Sequence, residues 1–218
     1  MGFLNQSRFP TLWQWFQYLI GGGCHKQQMA RLHYSGAVDV LEVGCSVGNV
    51  AKCFINESAI RYVGVDIDEA AIRHAQRAFR QRPSFRFICG DLCTLDLAPF
   101  DYIILSAMLH HVSDADCQAL LAASACLLNP AGHIVITDPV VPHAHDPWLF
   151  HLVDRVEQGR FVRSYERLLQ LVQPVPDVSL QEQRQFFLTG SPLGWPQIAR
   201  CAYFRLGREA ASAAARAA

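Results

Sequence analysis

The chain has 218 residues, 51% of them hydrophobic, and its 19 Lys+Arg balance 19 Asp+Glu to a formal net charge of zero. That length suits one domain with a sizeable core and a small lid. A neutral chain offers no global field for nucleic acid or an anionic membrane, and no apolar run reaches the roughly 18–20 residues of a membrane span. The eight cysteines, at 24, 45, 53, 89, 93, 117, 126 and 201, form no Cys-x-x-Cys pair. The expectation is therefore free thiols in a reducing cytoplasm, not structural zinc or a disulfide framework.

Residues 1–35 precede the first strand. Leu12-Trp13-Gln14-Trp15-Phe16-Gln17-Tyr18-Leu19-Ile20 followed by Gly21-Gly22-Gly23 predicts a short amphipathic helix, a hinge, and a second helix over about 25–34. Trp13, Trp15 and Phe16 cannot all face one core, which leaves core packing, a neighbouring subunit and a pocket wall open for them. Residues 38–43 are apolar enough for a strand buried on both faces. A glycine turn follows, and then Val50-Ala51-Lys52-Cys53-Phe54-Ile55, which can start a helix. Strand, glycine turn and helix N-terminus together make a nucleotide cradle. The spacing narrows the ligand: Gly-x-Gly-x-x-Gly would need glycine where Ser46 and Asn49 stand, and a P-loop would need Gly-Lys-Ser/Thr, which is missing.

What stands there instead is Glu42-Val43-Gly44-Cys45-Ser46-Val47-Gly48, an acid two residues before the first glycine. It resembles the first motif of class I S-adenosylmethionine-dependent methyltransferases, Asp/Glu-x-Gly-x-Gly-x-Gly, with Ser46 in place of the middle glycine. The resemblance implies S-adenosyl-L-methionine as cofactor, which carries no phosphate and needs no lysine. It places Glu42, Gly44, Cys45, Ser46, Gly48 and Asn49 at the cofactor. A second apolar strand, 61–66, ends in Asp66 about 20 residues past the glycine loop, where a carboxylate can accept both ribose hydroxyls of an adenosine. Ile67 follows, and Asp68 is expected to cap a helix over 69–80. After a third strand from Phe85 comes Gly90-Asp91-Leu92. Gly-Asp is an ordinary turn pair, but in the family an acid here binds the adenine amino group and its neighbour's backbone helps, so Asp91 and Leu92 match.

Phe100-Asp101-Tyr102-Ile103, Leu109-His110-His111-Val112 and Leu127-Leu128-Asn129-Pro130-Ala131-Gly132-His133-Ile134-Val135-Ile136 resemble the family's later motifs. They predict a fourth strand over 100–106, with Ser106 and Ala107 completing the cofactor set. A helix capped by Ser113 or Asp114 then reaches about 128, Asn129 to Gly132 ends it, and a fifth strand covers 133–138. His110 and His111 lie just past strand four, where the methyl group should sit. Histidine has the pKa for a base at neutral pH, so His110, His111 and His143 are the catalytic candidates. Leu-His-His recurs across differing chemistries in the family, and bracing of the loop is the alternative reading.

Residues 139–173 are the least generic and are expected beside the mouth of the site. Trp148, Arg155, Arg160 and Arg163 are substrate candidates there, the arginines as receivers of a carboxylate or phosphate. The alternative is a charged helix face whose acids offset them. By family analogy Trp13, Phe16, Tyr18 and Tyr34 would contact substrate from an N-terminal lid. His143 and His145 with Asp138 or Asp146 could chelate a metal, but loop histidines are more often solvated, and no metal is expected. Residues 178–188 and 198–206 read as the last two strands.

The fold implied is α/β: a Rossmann-like three-layer sandwich with a seven-stranded, mostly parallel sheet ending in an antiparallel hairpin. A helical lid would occupy residues 1–35, the methyltransferase domain 36–207 with a substrate-side insertion at 139–173, and an alanine-rich tail 208–218. The function implied is in-line methyl transfer to a small molecule, O- or C-methylation favoured, by a cytoplasmic monomer or homodimer with no nucleic-acid partner. Two alternatives remain open: a non-methylating enzyme that uses the bound sulfonium, and a catalytically silent cofactor-binding subunit.

Overall fold

The computed structural model describes residues 22–156, 159–189 and 196–208. Its strands, numbered in chain order, are β1 (Asp39–Val43), β2 (Arg61–Asp66), β3 (Phe85–Cys89), β4 (Phe100–Ser106), β5 (Leu128–Pro139), β6 (Ser179–Thr189) and β7 (Gln197–Gly207). They form one seven-stranded sheet in the order β3-β2-β1-β4-β5-β7-β6. Pairing is parallel from β3 to β5, and β7 joins antiparallel to both β5 and β6. The expected doubly wound sheet with a closing hairpin is present. Between β1 and β4 the strand order reverses. In such sheets the ligand crevice lies outside the carboxyl ends of the strands at that reversal.

The helices are α1 (Gly22–Arg31), α2 (Glu69–Ala78), α3 (Asp114–Cys126), α4 (Trp148–Val156) and α5 (Tyr165–Val172). Two apolar layers separate them from the sheet. On one face Leu41, Val65, Ile103, Leu105 and Ile136 pack against Leu121 of α3 and Leu168 of α5. On the other, Val40, Tyr62, Phe87, Tyr102 and Ile104 pack against Ala30 of α1, Ile72 and Ala75 of α2, and Phe54. Alternation along each strand decides the face. Each such Val, Leu, Ile or Phe, fully buried, contributes about 1.5–3 kcal/mol relative to exposure.

Local chemistry sets the helix starts as expected. Asp68 caps α2 by accepting from the backbone N–H of Ala70 and Ala71, and Ser113 caps α3 by accepting from Asp116 N. Three expectations need correction. Gly22 and Gly23 do not form a hinge, because α1 already begins at Gly22. No α-helix follows the glycine turn; a short 3-10 helix, Ala51–Phe54, stands there. Gly48, at φ +78°, breaks the helical path, and burial of Val47, Val50, Ala51 and Phe54 fixes the tighter turn. The Asn129 to Gly132 stretch is an irregular, bulged beginning of β5, paired through Leu128 to Phe100 before regular register resumes at His133. Trp13, Phe16 and Tyr18 lie outside the described residues. No helix among the described residues is long and apolar enough to cross a membrane.

Candidate functional site

The carboxyl ends of β1, β2, β4 and β5 bring most of the motif residues to one edge of the sheet. After β1 the backbone turns on Gly44 (φ +71°), Ser46 (φ +50°) and Gly48 (φ +78°). Gly44 N and Cys45 N both donate to Val65 O, at 2.8 and 3.1 Å, which ties the turn to the end of β2. Ser46 thus holds, at the place of the family's middle glycine, a left-handed conformation that L-residues adopt at a cost of about 1–2 kcal/mol. Gly44 is needed for a different reason: a Cβ there would lie 2.8 Å from Met108 Cβ, across the strand-order reversal. Gly44→Ala should therefore destabilise the fold by roughly 2–4 kcal/mol, from backbone strain plus overpacking. Thermal melting checks this, and Met108→Ala in the same chain should restore part of the loss.

Asp66 is the last residue of β2. Its Oδ2 accepts from Ser46 N at 2.7 Å and its Oδ1 from Asp68 N at 2.9 Å. Burial raises its pKa, against the lowering effect of these N–H donors. A carboxylate has about four acceptor sites, more than the backbone donors here fill. Gly90 N donates to Asp66 O, which sets the Asp91 turn directly beside it. There Asp91 accepts from Cys93 N at 3.0 Å and caps the turn over Leu92. Leu92 is buried, whereas Ile67, 77% exposed, offers apolar surface beside the acid. A neutral glycine turn, a diol-accepting acid and an apolar neighbour fit an uncharged adenosine and do not fit a polyphosphate.

Glu42 does not lie open in this turn. It is 3% exposed and accepts a hydrogen bond from Tyr62 O–H. Burial pushes its carboxyl up to about 8. Cys45 is likewise buried, its thiol raised by burial. Among the cofactor candidates, Asn49 anchors α1 by accepting at its backbone O from Gln27 Nε2 at 2.8 Å.

At the end of β4, Ser106 Oγ lies 3.1 Å from Thr137 Oγ1, and Ala107 (φ +49°) donates from its N to Thr137 O. The next turn carries the histidine pair. His110 is 3% exposed, with Nδ1 3.0 Å from Asp138 Oδ1, and Asp138 also accepts from Leu109 N. His111 is exposed, its ring centroid 4.0 Å from that of His110. The pair is thus one buried, acid-bound ring and one accessible ring in contact. Asp138, weighed from sequence only as a metal ligand, is the residue that orients His110. Its signal was the acid at the end of an apolar strand.

The insertion behaves differently from expectation. Arg163 is 6% exposed and its guanidinium is spent on the scaffold. Nε donates to Asp114 Oδ1 at 2.7 Å, Nη1 to Leu109 O and Phe161 O, and Nη2 to Val112 O. It clamps the histidine turn from behind and is not placed to receive a substrate anion. Sequence showed its charge but not the carbonyls that would surround it. Tyr34 is also corrected: its O–H donates to Ala37 O before β1, and its ring packs on Phe54 and Tyr102. That is the amino end of the parallel strands, opposite the glycine turn. Trp148, 74% exposed, Arg155 and Arg160 stand on the surface of the insertion. His143 is exposed, and its backbone N donates to Asp146, which pairs with Arg200. With Asp138 and Asp146 so engaged, the chelate weighed for His143 and His145 has no acid to complete it. Among the described residues no group of three or more His, Cys, Asp or Glu could hold a metal ion.

Residues 40–132 match the family profile described as a methyltransferase domain. The fold is that of a methyltransferase domain. No curated protein sequence matches it. Among solved structures it resembles the mitomycin 7-O-methyltransferase MmcR, at TM-score 0.69 and 14% identity over 96% of this chain and 61% of that one. It also resembles human N-acetylserotonin methyltransferase in complex with SAM, at 0.68 and 19% over 93% and 56%. The [4+2]-cyclase SpnF matches at 0.64 and 17% over 84% and 80%. The chain thus spans little more than half the length of the first two.

Proposed function

We propose that this domain binds S-adenosyl-L-methionine and transfers its methyl group to an oxygen or carbon of a small molecule. The observation that carries the reading is the meeting, at one strand-order reversal, of the Gly44–Ser46–Gly48 turn, Asp66 and the His110–His111 pair braced by Asp138. The Asp66 carboxylate would take the ribose hydroxyls, the Asp91 turn the adenine, and the Ser106–Ala107 segment the methionine end. When bound, the cofactor supplies an electrophilic methyl group on a sulfonium.

The residues of this chain do the rest. Asp138 accepts a hydrogen bond from His110 Nδ1–H, which fixes that ring's tautomer and holds the pair in place. His111, the accessible ring, would meet the acceptor and take up its proton on the imidazole, leaving an acceptor able to displace the sulfur from the methyl carbon. Strand ends and the clamped turn would hold the acceptor against the methyl-bearing end of the cofactor, as an in-line displacement requires. The insertion at 139–173 lies on the substrate side, with Trp148, Arg155 and Arg160 its contacts. We place the protein in the cytoplasm as a monomer or homodimer acting on small molecules.

The test is S-adenosylhomocysteine formation, followed by mass spectrometry, across a panel of phenols, hydroxy acids and activated methylenes. Turnover with one class, lost in His111→Gln while cofactor affinity persists, is the expected result. Turnover unaffected by His111→Gln would remove the base. Likeness to a cyclase on the same fold favours a second reading, a non-methylating enzyme; acceptor conversion with no S-adenosylhomocysteine would establish it. Asp66→Ala should weaken S-adenosylmethionine binding by about 1–3 kcal/mol, or roughly 5–150-fold, the range for a lost charged hydrogen-bond partner. Calorimetric titration measures it, and unchanged affinity would put the ribose elsewhere.

A further inference from the structure

On the sheet face that packs against α1, the last three strands carry a polar cluster that methyl transfer does not use. Across the β6–β7 pair Glu182 stands opposite Arg205, and Arg184 opposite Tyr203. Val135 of β5 stands opposite Arg205, and alternation puts His133 on the same face. His33, in the turn after α1, completes the group: its Nε2 lies 2.6 Å from Glu182 Oε2 and its ring centroid 6.0 Å from that of Tyr203. The Arg184 guanidinium lies over the Tyr203 ring, with its central carbon 4.7 Å from the ring centre. His133 pairs with Tyr102 toward the amino end of β4, whereas the cofactor-side residues Ser106 and Thr137 pair at the other end. The cluster is therefore separate from the glycine turn and the histidine pair.

Donors here outnumber what the chain offers them. Arg184 Nε and Nη2, Arg205 Nε, the Tyr203 hydroxyl and His133 Nδ1 are buried and have no hydrogen-bond partner among the described residues. Glu182 is the acid they face. It stands 3.7 Å from both arginine Nε atoms, close enough to offset charge but too far for a hydrogen bond. Two arginines against one acid leave one positive charge in excess, and buried donors left unmade are costly. A water molecule would accept from two of them but would have to place two O–H groups of its own, and Glu182 Oε2 already has His33 beside it. An anion only accepts, and it cancels the excess charge. Nε and Nη2 form one edge of the Arg184 guanidinium, the fork that takes two oxygens of an oxyanion side by side. Arg205 and Tyr203 approach from β7 and His133 from β5, so a third direction of oxygen is needed, which a planar carboxylate lacks. We propose that this cluster binds a small tetrahedral oxyanion of the inorganic phosphate type, held by Arg184, Arg205 and Tyr203 with His133 at its border. Glu182 opposes the ion at short range, which is why both arginines are required.

The experiment compares the full chain in sodium phosphate, sodium acetate and sodium chloride at matched pH and ionic strength, by thermal melting and by calorimetric titration with inorganic phosphate. Phosphate should raise the melting point saturably and give a heat of binding, and acetate should do no more than chloride. Arg184→Gln/Arg205→Gln should abolish both effects of phosphate while keeping the S-adenosylmethionine affinity of the parent. Tyr203→Phe keeps the ring beneath Arg184 and removes only the O–H. It should melt no lower than the parent in chloride and bind phosphate about tenfold more weakly, as for one lost hydrogen bond to a charged group. Equal melting in phosphate and chloride, or an undiminished phosphate response in the two variants, would overturn the site. Stabilisation by acetate equal to that by phosphate would overturn the tetrahedral ligand. Glycerol 3-phosphate bound as tightly as phosphate would overturn the free ion in favour of the phosphoryl group of a small metabolite.

Discussion

Replacing Arg163 with methionine should destabilise the protein by about 3–4 kcal/mol, near the range for removing one partner of a buried charged network. The side chain would keep its bulk but lose every donor. The carbonyls of Leu109, Val112 and Phe161 would be left without their guanidinium N–H groups, and Asp114 would keep only Arg167. Unmade hydrogen bonds in a buried setting cost about 1–3 kcal/mol each. The total is held down because Asp114 is partly solvated and can take water instead. Arg163→Lys should recover part of the loss, since one ammonium cannot reach carbonyls and carboxylate together. For a chain of this size the methionine variant should melt roughly 6–16 °C lower. Urea denaturation gives the free energy directly. A loss below about 1 kcal/mol would show the guanidinium to be dispensable to the fold and would return Arg163 to the substrate candidates.

The second large effect is a dependence on pH that Glu42 should impose. Burial holds its carboxyl at about 8, against 4.5 for the ordinary group. A carboxyl whose folded pKa stands above its unfolded value keeps its proton more tightly when folded. Its contribution to stability is fully present below about 4.5 and is lost as the pH rises through about 8. At about 1.4 kcal/mol per unit the ceiling is near 5 kcal/mol, with roughly half of it expected after local relaxation. Asp66, also raised by burial, acts in the same direction. Asp114 and Asp146, lowered by hydrogen bonds from arginine, act on the acid side: their contribution is lost as the pH falls through their folded values. Denaturant midpoints measured from pH 5 to pH 9 should therefore fall across the upper range in the parent chain. They should fall far less in Glu42→Gln, which keeps the shape and a partner for Tyr62. Parallel curves for the two proteins would mean that Glu42 is ionised in the fold at neutral pH.

Motif spacing and strand pattern carried far in this chain because both depend on near neighbours. Alternation of apolar runs with capped helices dictates a parallel sheet, and Asp68 and Ser113 announce their caps within a few residues. Gly44 and Gly48 signal a left-handed turn wherever they are placed, and an acid at the end of a strand, like Asp66, arrives at the crevice once the strands are parallel. What the tertiary structure decided was the partner of each polar side chain. Asp138 lies 28 residues from His110 and meets it only because β4 and β5 are adjacent. Arg163 and Asp114 are 49 residues apart and meet across the insertion, which turns an expected substrate contact into an internal clamp. Tyr34 looked like a lid aromatic until helix α1 carried it to the amino end of the sheet. Residue type and spacing fix which groups can do chemistry, but long-range packing fixes which are already spent, because a buried donor or charge must be satisfied by whatever the fold brings beside it.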